Sequence, residues 1–148
     1  SLVSPTNFGM PQRRSSGLDP NRLALILAIL EKRLGMALST QDVFLNIAGG
    51  IKVVEPSVDL SVAVAAASSF REVPVDPHTV VLGELGLSGE VRAISQIEPR
   101  LAEAARLGFK QAIIPFGNVK AVSHSADNRM EIMGVKTLSE AIGLLVSR

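Results

Sequence analysis

Apolar positions along the chain fall first into a helical period. Leu23, Ile26, Leu27 and Leu30, continued by Leu34, recur at the three- and four-residue spacing of one helix face. Asp19 is a natural N-cap, Pro20 suits the first helical position, and Gly35 is placed to end the helix. Residues 42–48, DVFLNIA, alternate and predict a strand. Gly49 and Gly50 break it, and residues 51–54 predict a second short strand. Residues 55–70, EPSVDLSVAVAAASSF, then open with a polar turn and become a long apolar helix. Leu60, Val62, Val64, Ala65, Ala67 and Phe70 cover most of its surface, which predicts burial in the middle of a domain. The small side chains at 63, 65, 66 and 67 allow another element to come close.

After a Pro74–Asp76–Pro77 loop, residues 79–82 form a buried β run. GELGLSGEVR, residues 83–92, suits a hairpin with strands at 79–85 and 90–94 and a turn at Ser88-Gly89. Residues 95–108 predict a third helix, with Ile97, Leu101, Ala104, Ala105 and Leu107 inward and Gly108 at its end. Residues 110–115 are apolar enough for a strand buried on both faces, and helix followed by buried strand suggests parallel βα units. Residues 117–128 suggest a loop, residues 130–135 a last strand, and Thr137 caps a final helix over 138–147. The expectation is an α/β (α+β) domain with a mixed sheet, four helices and about six strands.

Composition narrows the function classes. With 148 residues, 47% hydrophobic and 20% charged, the chain suits one globular domain with a real core. It holds five Phe, no Trp and no Tyr, so the core must be aliphatic. There is no Cys, and His78 and His124 have no ligand-like spacing, so no metal site is expected. Apolar runs such as residues 23–30 are too short to span a bilayer, and no signal-peptide pattern opens the chain; a soluble cytoplasmic protein is expected. Net charge is +1, which does not by itself indicate a nucleic-acid partner. Residues 1–33 nevertheless hold Arg13, Arg14, Arg22, Lys32 and Arg33 against Asp19 and Glu31. Residues 1–18, rich in Ser, Pro and Gly, read as a linker or arm, with 19–148 as the folded domain. The first residue is not Met, which suggests a piece of a longer protein.

Candidate chemistry centres on Ser57. A serine at a helix N-terminus is most simply a cap, and a nucleophile only with a base beside it. The Gly49-Gly50 pair lacks the spacing and the Lys-Ser pair of a phosphate-binding loop and reads as a turn. The glycines of 83–92 could bring backbone close to a ligand, but a turn is the more economical reading. His124 reads as a loop residue rather than a catalyst.

Two runs carry a family resemblance: FLNIAGGIKVVEPSVDLSVAVAAASSF and VVLGELGLSGEVRAISQIEPRLAEAARLGFKQAIIP. They resemble the proteolytic domain of Lon, in which a G-P-S-A-G motif carries the serine and a later helix carries a lysine. Glu55-Pro56-Ser57-Val58-Asp59 stands where that motif would, with Ser57 at the nucleophile position. Glu98 stands where the lysine would be. A carboxylate with a pKa near ~4.3 is a poor base for a hydroxyl. Arg100 does not give up a proton, and Asp59 adds negative charge where an oxyanion would form. No peptidase activity is expected, and Ser57 and Glu98 are read as vestigial dyad positions.

These departures, with the lead-in TNFGMPQRRSSGLDPNRLALILAILEKRLG, resemble the C-terminal Lon-like domain of the bacterial RadA (Sms) family of DNA repair proteins. That resemblance covers essentially the whole chain. It implies a parent with an N-terminal zinc finger and a RecA-like ATPase core, so ATP, Mg and Zn would belong outside this sequence. There is no Walker A motif and no four-cysteine site here. For this part the resemblance implies a homo-hexameric ring and contact with DNA during branch migration, with RecA recombinase as a partner through the parent. Basic candidates for DNA phosphate are Arg13, Arg14, Arg22, Lys52, Arg92 and Arg100; each could equally be a surface charge or a subunit contact. With so few aromatics, base stacking is not expected to lead. A working serine peptidase and an oligomerisation scaffold without DNA contact remain the alternatives.

Overall fold

A computed structural model describes residues 1–7, 9–46, 55–122 and 130–146. The first helix, α1, runs Pro20–Leu34. The Asp19 carboxylate accepts from the Asn21 N–H, and Gly35 closes the helix at φ 67 with its N–H on the Glu31 carbonyl. A left-handed residue is the reason glycine ends a helix here. Leu23, Ile26, Leu27, Ile29 and Leu30 are buried, each worth about 1.5–3 kcal/mol of transfer free energy.

The second long helix, α2, is Asp59–Arg71, entered through a 3-10 turn over Pro56–Val58. It is central, as its apolar surface predicts: Leu60, Val62, Ala63, Val64, Ala66 and Ala67 are all buried. The helix packs on α1, on the N-terminal sheet and on the last helix, and the alanines are what let these come close.

Residues 1–18 are not a free arm. Leu2–Pro5 forms β1 and Arg13–Ser16 forms β2, and both flank β3, Gln41–Asn46, in the order β1-β3-β2. β1 is antiparallel to β3, with Val3 opposite Val43, and β2 is parallel to it, with Arg14 opposite Phe44. Val3 and Leu18 enter the core, and the Val3 N–H donates to Ser69 Oγ on α2 at 2.9 Å. The linker reading fails because strand pairing satisfies backbone groups whatever the side chains, so a Ser-rich, Pro-flanked segment can still be a strand.

A parallel sheet follows the order β4-β7-β8, with β4 at Thr79–Val81, β7 at Gln111–Pro115 and β8 at Glu131–Val135. β7 is buried over Ala112, Ile113, Ile114 and Pro115, as expected of a strand covered on both faces. The predicted hairpin is shorter than 79–85 with 90–94. Only β5, Glu84–Leu85, and β6, Val91–Arg92, pair, while β4 joins β7 instead. The break falls at Gly83. Its N–H donates to the Ser57 carbonyl at 2.9 Å, and its carbonyl accepts from Leu60 N–H at 3.0 Å. A Cβ there would lie 2.8 Å from Val91 Cγ1 and 3.3 Å from Leu60, so the glycine is a close-approach residue.

Helix α3, Ile97–Arg106, buries Ile97, Leu101 and Ala104 over a second core made with Ala112, Ile114 and Met130. Leu107, expected inward, is 63% exposed, because the helix ends before it. A four-residue helix α4, Val119–Val122, lies in the predicted loop, and α5, Leu138–Leu145, closes the chain with Thr137 Oγ1 accepting from Glu140 N–H. The described residues thus hold five α-helices and eight strands rather than four and about six. The predicted strand at 51–54, the Gly49-Gly50 turn, Lys52 and His124 lie outside the described residues.

Candidate functional site

Ser57 is held by the 3-10 turn, not by a helical first turn, and it is 5% exposed. Its hydroxyl does not cap α2, whose N-cap residue is Val58 with no side-chain hydrogen bond. The hydroxyl donates instead to Glu55 Oε2 at 3.3 Å. Arg100 Nη2 reaches the same oxygen at 2.9 Å. The Arg100 guanidinium is steered by its own loop, with Nε donating to the Ser95 carbonyl at 3.1 Å. That loop is fixed in turn. Asn118 accepts from Ile94 N–H at 2.9 Å and donates to the Ile94 carbonyl at 3.0 Å, and Gln96 takes a positive φ of 59 to start α3. Glu55, Pro56, Ser57, Ile94, Ser95 and Arg100 border a cleft of about 120 Å³.

The electrostatics of this cleft are set by the ion pair. The hydrogen bond and charge of Arg100, helped by the Ser57 hydroxyl, hold the Glu55 carboxyl below its usual range. A carboxylate so stabilised is a weaker base than an ordinary one. Arg100 stays protonated and accepts nothing. Glu98 does not border this cleft. It is exposed on α3 beside a separate apolar hollow lined by Leu101, Ala102, Ala105, Val122, Met130 and Ile132.

Asp59 is also not where the sequence suggests its charge would act. Its side chain is 1% exposed, and it takes a bidentate contact from Arg22, with Arg22 Nε on Oδ1 at 2.8 Å and Nη2 on Oδ2. Oδ2 also accepts from Leu85 N–H at 3.1 Å. Asp59 thus ties α1, α2 and the β5–β6 hairpin together, with its charge neutralised by Arg22. The Asp59 hydrogen bond raises the Arg22 pKa, outweighing the opposing effect of burial.

The remaining basic candidates sort by partner. Arg13 is half-buried, with Nη2 on the Leu38 carbonyl at 2.7 Å and Nη1 buried without a partner. Arg14 is exposed and has no ion pair among the described residues. Arg92 is 56% exposed, with Glu90 at 4.0 Å. One feature of this surface was missed from the sequence: Phe116 is 54% exposed with Lys136 Nζ 4.6 Å over its ring, and Phe44 is 36% exposed beside Arg14 in the sheet. Scarcity of aromatics hid the fact that two of the five stand outside next to cations. Among the described residues no His, Cys, Asp and Glu cluster could hold a metal ion, and no helix is long and apolar enough to cross a membrane.

Residues 22–118 match the family described as Subunit ChlI of Mg-chelatase. The chain belongs to this family. The ChlI-type domain is the Lon-like fold that the Ser57 region and the α3 segment resemble. The chain is 47% identical over 148 residues to the DNA repair protein RadA of Halalkalibacterium halodurans, across 100% of this chain and 32% of that protein. It is 46% identical over 142 residues to the Bacillus subtilis RadA, across 96% and 31% of the two. It is 55% identical over 117 residues to the Synechocystis RadA, across 79% and 23%. The chain is therefore homologous to the C-terminal region of bacterial RadA and spans about a third or less of the length of these curated relatives. Within this ChlI-type domain, the structure joins Ser57 to Glu55 and Arg100, and Asp59 to Arg22, and leaves Glu98 apart from both.

Proposed function

We propose that this chain is a non-proteolytic Lon-like module of a RadA-type DNA repair protein, contributing DNA contact and a ring-forming surface to branch migration. The reading rests on the similarity to RadA across this chain together with one observation at Ser57. The only carboxylate hydrogen-bonded to that hydroxyl among the described residues is already engaged by an arginine. A nucleophilic serine needs a base able to take its proton, and Glu55, stabilised as the anion, is a poor one. ATP, Mg and Zn are assigned to the rest of the parent protein.

For DNA contact the structure favours Arg14 and Arg92 over Arg22 and Arg100, whose guanidinium groups are engaged by carboxylates. Lys136 beside Phe116 joins them as a cation next to an exposed ring. Lys52, outside the described residues, stays a candidate on sequence grounds. The test is anisotropy of labelled duplex and single-stranded DNA with this chain over a salt series, with its mass measured in parallel. Affinity should fall steeply with salt, and Arg14→Ala should reduce the duplex slope by about 0.9. Ring formation without DNA binding at low salt would replace the reading with an oligomerisation scaffold. Hydrolysis of a peptide that is lost in Ser57→Ala would replace it with a peptidase.

A further inference from the structure

The cleft at Ser57 has the features of a site that already holds a ligand. Two donors from different elements, Ser57 Oγ and Arg100 Nη2, converge on a single oxygen, Glu55 Oε2. Both donors are positioned independently of that oxygen. The Ser57 backbone is fixed through the Gly83 N–H, and the guanidinium is fixed through Nε on the Ser95 carbonyl. The Ser57 side chain is buried, whereas the Glu55 side chain is 58% exposed and sits on the rim. We propose that this cleft is an oxyanion-binding site for a single carboxylate or phosphate group, and that Glu55 is a tethered occupant which an incoming anion displaces.

Preset donors lose little freedom when a ligand arrives, which is the condition for recognising a small charged group. A planar guanidinium beside a hydroxyl matches the geometry of carboxylate and phosphate oxygens. The volume of about 120 Å³ sets the size. It falls below the about 300–1,000 Å³ of sites that enclose whole organic ligands, so the site takes one anionic group and not a nucleotide or sugar. Glu55 can leave at small cost, because an exposed ion pair is held weakly in water. The group is a free anion or a protein carboxylate, which present the same oxygens to the site, and a nucleic-acid backbone is the other outcome of the test.

The experiment compares the natural chain with Glu55→Gln, Glu55→Ala and Glu55→Gln/Arg100→Gln at constant ionic strength. Inorganic phosphate, and separately acetate, is titrated while the Arg100 Nε–H resonance is followed by NMR and heat by calorimetry. Far-UV circular dichroism checks that each variant is folded. Both single variants should show a saturable Arg100 shift with a midpoint a few-fold lower than the natural chain. The double variant should show no saturable heat. Equal midpoints with and without the Glu55 carboxylate overturn the proposal, and so does saturable binding that survives loss of Arg100. A short duplex titrated into Glu55→Gln assigns the source. Tighter duplex binding identifies backbone phosphate, and unchanged duplex binding identifies a free anion or protein carboxylate; either result upholds the site.

Discussion

Arg22→Ala is the sharpest test of how this fold is held. The substitution leaves the Asp59 carboxylate, 1% exposed, with the Leu85 N–H as its remaining described partner. Removing one member of a buried ion pair costs about 3–5 kcal/mol, because the surviving charge is desolvated and unpaired. The Arg22 side chain is 32% exposed, so water can partly replace it, and the lower end, about 3 kcal/mol, applies. For a domain of this length that corresponds to a fall in Tm of about 10 °C. Urea unfolding followed by far-UV circular dichroism is the assay, since the chain has no Trp or Tyr for intrinsic fluorescence. A second arm separates the charge from the space it fills. Arg22→Leu with Asp59→Leu removes both charges and should recover most of the loss. A remainder of about 1 kcal/mol should stay, because the Leu85 N–H has lost its acceptor. The reasoning is refuted if Arg22→Ala costs less than about 1 kcal/mol, the value of an exposed pair. It is refuted equally if the double variant is as unstable as the sum of its singles, because coupling across the pair would then be absent.

Three further outcomes follow from the same geometry. Gly83→Ala should destabilise by about 1–3 kcal/mol in the same urea assay, since its Cβ would come 2.8 Å from Val91 and 3.3 Å from Leu60 in a packed region. Ser57→Ala removes one 3.3 Å hydrogen bond and no helix cap, so it should cost about 1 kcal/mol or less in the same urea assay; a loss above about 2 kcal/mol would show that the hydroxyl holds the fold. Because the Glu55 carboxyl is held below the ordinary glutamate value of 4.5, its pairing with Arg100 is complete above that value. It is lost as pH falls through the lower folded-state value, so the Arg100 Nε–H resonance should shift with a midpoint below 4.5; a midpoint at or above 4.5 would count against the ion pair in solution.

What the sequence determined by itself is whatever a short window encodes. The face of α1 and its Asp19 and Gly35 ends follow from spacing and capping within one helix. The central burial of α2 follows from apolar residues around nearly its whole surface, and the two-sided burial of β7 from its continuous apolar run. The expectation that the Ser57 region is vestigial came from residue identity alone, since Glu98 stands where the resemblance places an amine. The tertiary structure decided everything that depends on partners far along the chain. β1 and β2 gain their order from β3, about forty and about thirty residues away, and a Ser- and Pro-rich segment carries no local mark of that pairing. Arg22 and Asp59, 37 positions apart, look like two unrelated surface charges until α1 and α2 pack. Arg100, and not Glu98, joins the Ser57 cleft because of the turn at Gln96 that starts α3, a backbone choice no side-chain pattern announces. Side-chain period fixes which face an element buries; which charge meets which is settled only when the elements are brought together, since electrostatic partners are chosen by distance in space.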